Sequence, residues 1–214
     1  MTTGTEMRER DMTLRRAVRY IDEVVAKPLE PRVLEELLRH VHDWGEALRR
    51  QATPVSPGCV VFDPLALGSV YTTGAAFTEG AVVMKVGPFQ WTSGTYTWNG
   101  YAEVDGGGAA GGSGQDLRLN NATVSFDFGG PVNSITCAVG EYGGNINLEV
   151  NGQLWNFDDF SKLPGTSLGA VSVTSTVTPT TFPTGEIGSL VLAGTITSFA
   201  IGGQELWIDN VCYS

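Results

Sequence analysis

The pattern of apolar positions changes once along the chain. Over residues 14–48, apolar side chains recur at steps of three and four, which predicts two amphipathic helices. Beyond residue 57 this period disappears, and short runs rich in Val, Ile, Thr and aromatic residues alternate with Gly, Asn and Asp clusters. Such runs are typical of antiparallel strands. The pattern predicts a helical hairpin over residues 1–53, a Pro-containing linker over 54–58 and a β domain over 59–214.

The predicted helical hairpin is too short to bury a core by itself. Its apolar stripes must pack on the β domain, on a second copy of the hairpin or on another protein. The spacing of the second stripe suits coiled-coil-like packing, and two hairpins could form a four-helix bundle. We therefore expect a homo-oligomer or a docking partner held through residues 13–50. The contact residues would be Leu34, Leu37, Val41, Trp44 and Leu48.

About ten strands are predicted in the β domain, with no helix between them. The runs are 80–86, 95–98, 101–104, 117–119, 123–128, 134–139, 146–150, 153–157, 171–177, 190–192, 196–201 and 205–211. Asn120-Asn121 is expected to be a turn, and Asn151-Gly152 is a strong hairpin signal. The predicted fold is mainly β: an antiparallel jelly-roll β-sandwich carrying an N-terminal two-helix hairpin.

Two apolar segments at opposite ends of the β domain each carry a cysteine and a carboxylate. The segments are Cys59–Gly68 and Glu205–Cys212. If they pair antiparallel with Asp63 beside Asp209, Cys59 falls almost opposite Cys212. That register permits a Cys59–Cys212 disulfide, which needs an oxidising compartment. Cys137 is left over, in an apolar strand, and is expected in the core.

The same pairing would bring acids together that need a cation between them. Asp63 and Asp209, with Glu205 further along the strand, offer the hard oxygen ligands that calcium prefers. The sequence therefore predicts a structural Ca²⁺ site at Asp63, Asp209 and Glu205. In the alternative interpretation, Asp63 caps a turn before Pro64 and Asp209 is solvated on an edge strand.

Charge narrows the choice of partners. The net charge is -10, and residues 1–53 are balanced, with ten basic and ten acidic side chains. The rest of the chain holds three basic residues against thirteen acids, so we expect no nucleic-acid partner. The sequence contains no stretch of about 18 apolar residues, so we expect no membrane span. The N-terminus lacks the apolar segment of a secretory signal.

Aromatic residues are the candidates for ligand binding. Planar rings can stack on sugar faces, and Tyr96 and Trp98 share one face of a predicted strand. The candidate glycan-binding residues are Trp91, Trp98, Tyr101, Tyr142 and Trp155. The alternative is that these rings fill the sandwich core.

Catalysis is not expected. Residues 58–214 contain no histidine, so the usual general base is missing. Carboxylate pairs chosen from Glu103, Asp105, Glu141 and Glu149 are the remaining candidates for acid/base chemistry. The glycine run over residues 105–114 is interpreted as a loop that crosses an edge or lies close to a ligand, or as a flexible linker within the fold.

Several motifs of the β domain are similar to an uncharacterised bacterial family of secreted or surface β-sandwich domains. They are Cys59-Val-Val-Phe-Asp63 with Leu67-Gly68, the stretch 112–117, Gly140-Glu-Tyr-Gly-Gly144 and the stretch 201–212. The domain also resembles the calcium-binding jelly rolls of carbohydrate-binding modules, where an early acid and a late aspartate flank a structural ion. This resemblance implies calcium at Asp63 and Asp209, and an extracellular, cell-surface or particle-surface location.

These observations predict a non-catalytic, calcium-stabilised jelly roll that binds a glycan or a surface and is multimerised or docked by its hairpin. Multivalency would then compensate for weak single sites. A structural protein, such as a filament, shell or particle subunit with the jelly roll as building block, is the alternative. A carboxylate-based glycan-active hydrolase or lyase is the third hypothesis.

Overall fold

The computed structural model describes residues 55–181 and 183–214. The predicted helical hairpin over 1–53, with its oligomerisation residues, and the start of the linker lie outside this part of the chain. The described residues form fourteen antiparallel strands and one 3-10 turn (Phe160–Lys162). The strands are β1 (Gly58–Val60), β2 (Val70–Thr72), β3 (Ala76–Glu79), β4 (Val82–Gln90), β5 (Tyr96–Thr97), β6 (Tyr101–Gly106), β7 (Gln115–Asp127), β8 (Val132–Glu141), β9 (Ile146–Val150), β10 (Gln153–Phe157), β11 (Ser167–Leu168), β12 (Val171–Thr181), β13 (Thr184–Ile196) and β14 (Phe199–Tyr213).

Two long strands divide the hydrogen-bonded sheet into two sets. The first half of β14 and the second half of β7 belong to the front set, whose strand order is β10-β9-β14-β7-β4-β3. The remaining halves of the same two strands belong to the back set, ordered β2-β6-β7-β14-β8-β13-β12-β11. The fold is therefore mainly β and sandwich-like, with β7 and β14 shared by both sets.

The shared strands turn at positions that suit a bend. Asn121, in the middle of β7, has a φ of 48°, a left-handed conformation that asparagine adopts more readily than most residues. A Cβ on Gly202 of β14 would overlap the backbone of Ala122 and the side chain of Thr123. A Cβ on Gly100 would likewise overlap the backbone of Asn121. Strands that change sheets need such local irregularities.

Both sets pack their alternate side chains on one apolar core. The front set contributes Met84, Val86, Val124, Leu148 and Ile201, and the back set contributes Leu119, Val139, Leu190, Leu206 and Ile208. Cys137 is a buried free thiol within this core, as expected. None of the helices that the structure describes is long and apolar enough to cross a membrane.

Three details of the strand prediction are wrong. Asn120-Asn121 is not a turn between strands, because β7 runs through both residues and only bends there. The run 196–201 is not one strand, since Thr197 and Ser198 separate β13 from β14. Strand β1 stops at Val60, three residues before Asp63, and Phe62 has a φ of 60°. Local polarity cannot distinguish a bend inside a strand from a turn between two strands.

The first and last strands pair antiparallel as expected, with a register one residue away from the one that would place Asp63 beside Asp209. Cys59 lies opposite Cys212 in the β1–β14 ladder, and the two residues form a disulfide across 153 positions of sequence. Because β1 pairs through only three residues, the covalent bond secures a short ladder at the edge of the fold.

Removal of this disulfide should destabilise the domain by about 2–5 kcal/mol, because the cross-link restricts the unfolded chain over a long loop. Urea denaturation of the wild type with and without dithiothreitol measures the effect. The double variant C59S/C212S is the control and should not respond to the reductant. Equal stability of the oxidised and reduced wild type would contradict this role.

Candidate functional site

Three aspartates lie abreast on the outward face of the back set. Asp105 of β6 is paired with Asp116 of β7. Trp207 and Ile208 of β14 pair with Arg118 and Leu117, so Asp209 and Asp116 are the next residues of the two strands, and their charges interact. The neighbouring core-facing positions, such as Leu117 and Ile208, are fully buried, so the aspartates belong to the opposite face.

The glycine-rich segment between β6 and β7 covers two of these aspartates. Asp116 and Asp209 are completely buried although they face away from the core, and Ala110 of the segment is buried with them. The backbone N–H of Ala110 donates a 2.9 Å hydrogen bond to Asp116 Oδ2. A Cβ on Gly140 of β8 would overlap the carbonyl of Ala109, so the segment packs directly on the sheet. We call residues 107–114 the glycine flap.

The flap also contacts the two acids predicted from the sequence. A Cβ on Gly112 would overlap the carboxylate of Asp209, and a Cβ on Gly114 would overlap that of Asp63. The backbone N–H of Gln115, directly after the flap, donates a 2.6 Å hydrogen bond to Asp63 Oδ1. The flap therefore lies against Asp63, Asp116 and Asp209 together, and glycine is needed where its backbone meets the carboxylates.

Burial and like charge disfavour the ionised forms of these acids. Burial raises the pKa of Asp209 from 3.8 to about 6, and the charges of Asp116, Asp63 and Glu79 add to this effect. Burial also raises the pKa of Asp116, with a further contribution from Asp105, while backbone N–H groups of the flap oppose the shift. Burial and like charge thus both oppose ionisation of Asp116 and Asp209.

The hydrogen bonds leave some carboxylate oxygens available. Both oxygens of Asp209 accept hydrogen bonds from Asn210, one from its backbone N–H and one from its side-chain amide. Asp116 Oδ1 is buried without a hydrogen-bond partner. Glu79 accepts from the backbone N–H groups of Val61 and Phe62, which fixes the turn that follows β1. An orphaned buried carboxylate oxygen beside other acids fits a hard cation.

The acids are not arranged as a closed cage of side chains. Among residues 55–181 and 183–214, no group of three or more His, Cys, Asp or Glu side chains is positioned to hold a metal ion. Glu205, the third predicted ligand, lies elsewhere on the same strand face, two positions beyond Trp207, and lines a cavity with Tyr142. Asp116 joins Asp63 and Asp209 in its place. The position of Asp116 opposite Asp105 depends on the pairing of β6 with β7 and had no local signal in the sequence.

The five predicted glycan-binding aromatics do not form one surface. Trp98 is 68% exposed, whereas Trp91 packs edge-on against Phe89 and its indole N–H donates to Thr97. The other three, Tyr101, Tyr142 and Trp155, are half-buried, in β6, after β8 and in β10. Trp155 packs against the core.

The structure shows a groove across the outward face of the front set, which we call the front groove. Its floor is one row of paired residues from five strands: Lys85, Ser125, Ala200, Glu149 and Leu154. The groove has a volume of about 330 Å³ and is also lined by Tyr96, which is 55% exposed. The sequence pattern places Tyr96 on the same strand face as Trp98 but does not predict its position beside the groove, because that position depends on the pairing of β4 with β5.

The carboxylate pairs considered for acid/base chemistry are separated or engaged. Glu103 pairs with Arg118 at 3.8 Å, and Asp105 accepts a 2.9 Å hydrogen bond from the indole N–H of Trp207. Glu141 is buried in the back set, whereas Glu149 faces the front groove.

Comparisons with known proteins returned no match: no family model, no curated protein and no solved structure matches the chain. The chemistry of the acidic cluster and of the front groove therefore follows from their own residues.

The raised pKa of Asp209 predicts a pH dependence of stability. Between about pH 4 and pH 6 the folded chain keeps a proton that the unfolded chain has lost, so the free energy of unfolding falls as the pH rises. The contribution of Asp209 is at most about 3 kcal/mol. Urea denaturation in chelator-treated buffer should show a smaller decline for D209N than for the wild type. Identical pH dependence of the two proteins would contradict the effect.

Proposed function

We propose that the β domain is a non-catalytic, calcium-stabilised glycan-binding module of jelly-roll topology. The single observation that carries this proposal is the front groove, an open groove lined by the charged side chains of Lys85 and Glu149 with an exposed aromatic ring beside it. The shared strands β7 and β14, and the pairing of β1 with β14, favour the jelly-roll interpretation of the sandwich-like fold.

The front groove has the chemistry that a sugar chain requires. Gly87 and Ala200 leave space above the strands, and the groove is also lined by the exposed side chains of Tyr96 and of Leu154, which is 39% exposed. The aromatic face of Tyr96 can pack on the C–H face of a pyranose ring. The Lys85 ammonium and the Glu149 carboxylate can then bind hydroxyl groups on either side. A volume of about 330 Å³ suits a ligand the size of one or two sugar rings.

Calcium is proposed at the acidic cluster, with Asp63, Asp116 and Asp209 as its carboxylates. The unpartnered Oδ1 of Asp116 and the mutual repulsion of the acids support this proposal. Backbone carbonyls and water would complete the shell, which calcium accepts more readily than most metals. When bound, the ion would neutralise the cluster and secure the glycine flap.

Display of the module remains a prediction from the sequence. Oligomerisation or docking through residues 13–50 would present several front grooves at once, and modest single-site affinities would then suffice. A glycan-binding role is consistent with an extracellular or surface location, in which the Cys59–Cys212 disulfide would be stable.

Replacement of Tyr96 should weaken glycan binding. We expect Y96A to lose about tenfold in affinity, because the stacking platform of the front groove is removed. Native affinity electrophoresis in gels containing hydroxyethylcellulose, xylan or laminarin measures retardation by each polysaccharide. W98A is the matched control, since Trp98 is exposed in the same hairpin without lining the groove. Retardation that is lost in W98A and retained in Y96A would place the site outside the groove.

Calcium should raise the thermal stability of the chain, by about 2.7 kcal/mol at a concentration one hundred times the dissociation constant. D63N should lose this response to calcium, because it removes the carboxylate of Asp63, an exposed member of the proposed site. E205Q also removes one carboxylate and should keep the response. Differential scanning calorimetry with calcium and with EDTA provides the comparison, and equal melting temperatures of the wild type in both would exclude the ion.

A further inference from the structure

A second cavity lies on the outward face of the back set, next to the glycine flap. It has a volume of about 430 Å³ and is lined by Ala109, Tyr142, Pro183, Ile187, Glu205 and Trp207, among others. We call it the Trp207 cavity. Its strands, β8, β13 and β14, pair without a register shift beside the cavity, over residues 186–193 of β13 and 206–209 of β14, so the lining residues on them are fixed relative to one another.

The two aromatic rings of this cavity are anchored at their polar ends. The Tyr142 hydroxyl donates a 2.8 Å hydrogen bond to the carbonyl of Ala109, and the indole N–H of Trp207 donates to Asp105. The rings stand nearly perpendicular, at 83°, with centroids 5.2 Å apart. Because their polar groups are already satisfied, what they offer a ligand is aromatic surface in a preset orientation.

A single unpaired charge lines the cavity, and it is negative. The backbone of Glu205 is tied to that of Tyr142, whose N–H donates to the Glu205 carbonyl at 3.0 Å. In the part of the chain that the structure describes, no hydrogen-bond donor or cation contacts the Glu205 carboxylate, and no Lys or Arg lines the cavity. A ligand with a positive charge would supply the missing partner.

The electrostatic surroundings of the cavity are mixed. The Arg118 guanidinium lies over the Trp207 ring, 5.1 Å from its centroid, so the cation–π contact of this ring is made within the chain and Glu205 is the group that selects a positive charge. The pKa of Tyr142 is raised by burial and then by the negative charges of Asp116 and Glu141, so negative groups besides Glu205 act on this wall of the cavity. Neutral sugars would gain nothing from this field.

We propose that the Trp207 cavity binds a small organic cation: an ammonium group carried on an apolar or sugar body. Glu205 pairs with the ammonium, and Trp207 and Tyr142 pack against the body. The site is separate from the front groove, because the two lie on outward faces of different strand sets. A chain could therefore hold a neutral glycan in one and a cationic group in the other.

Titration of the ¹⁵N-labelled full chain with small probes tests the proposal by NMR. Choline is compared with its neutral isostere, in which carbon replaces nitrogen, and glucosamine is compared with glucose. We expect the cationic probe of at least one pair to shift the indole N–H signal of Trp207, with its neutral counterpart binding at least about tenfold more weakly. Choline alone would indicate a compact ammonium ligand, and glucosamine alone an amino sugar.

Variants separate this site from the proposed glycan site. E205Q, which keeps the shape of the side chain, should lose about tenfold in affinity for the cationic probe, and E149Q is the matched control in the front groove. E205Q should leave polysaccharide retardation unchanged, and Y96A should leave probe binding unchanged. Equal binding of the charged and neutral probes, unaltered affinity in E205Q, or no shift at Trp207 with any probe would each overturn the proposal.

Discussion

The double pairing of β14 is the constraint on which the other features depend. This strand is hydrogen-bonded to β7 along one side and to β9 and then β8 along the other, with β1 added near its end. It therefore belongs to both strand sets and places side chains at three candidate sites. Ala200 lies at the floor of the front groove, Trp207 in the second cavity and Asp209 in the acidic cluster. A change in the register of β14 would move all three to the opposite face.

The acidic cluster lowers the stability of the domain but fixes a specific local structure. Two carboxylates buried side by side cost free energy unless a proton, a cation or hydrogen bonds offset their charge. The glycine flap supplies backbone N–H groups to Asp116, and Asn210, in a left-handed conformation with a φ of 49°, supplies both donors to Asp209. These donors orient the carboxylates without neutralising them. The same arrangement places the flap between the acids and the Trp207 cavity, where Ala109 accepts the Tyr142 hydroxyl.

The sequence was informative where side-chain chemistry depends on local pattern. Alternation of apolar residues predicted the mainly β architecture, and the acid and cysteine in each end segment predicted the pairing of β1 with β14, with the register correct to within one residue. The separation of Glu205 from the acidic cluster could not be predicted in this way. Glu205 and Asp209 lie four residues apart on β14, so they share a face of the strand but are two pleats apart along it. Asp116 and Tyr96 were missed for a related reason. Their roles depend on the flap that covers one and on the groove beside the other, and both are non-local contacts.

The glycine run shows the limit of compositional reasoning most clearly. A glycine-rich segment is compatible with a flexible linker or with close packing, and composition alone does not separate the two. The structure favours close packing, since Cβ atoms at Gly107, Gly112 and Gly114 would overlap neighbouring atoms. The glycine-rich segment between β6 and β7 thus covers the buried aspartates.

The position of β14 in the chain has a consequence for biosynthesis. All four of its partner strands precede it, so during translation the shared core and the acidic cluster wait for residues 199–213 to leave the ribosome. Until then, the neighbouring edges of β7, β8 and β9 are open to wrong partners, a situation in which nascent chains depend on chaperones. The two cysteines, 153 positions apart, are aligned only by the final ladder. Formation of the Cys59–Cys212 disulfide would therefore follow the pairing of the strands rather than direct it.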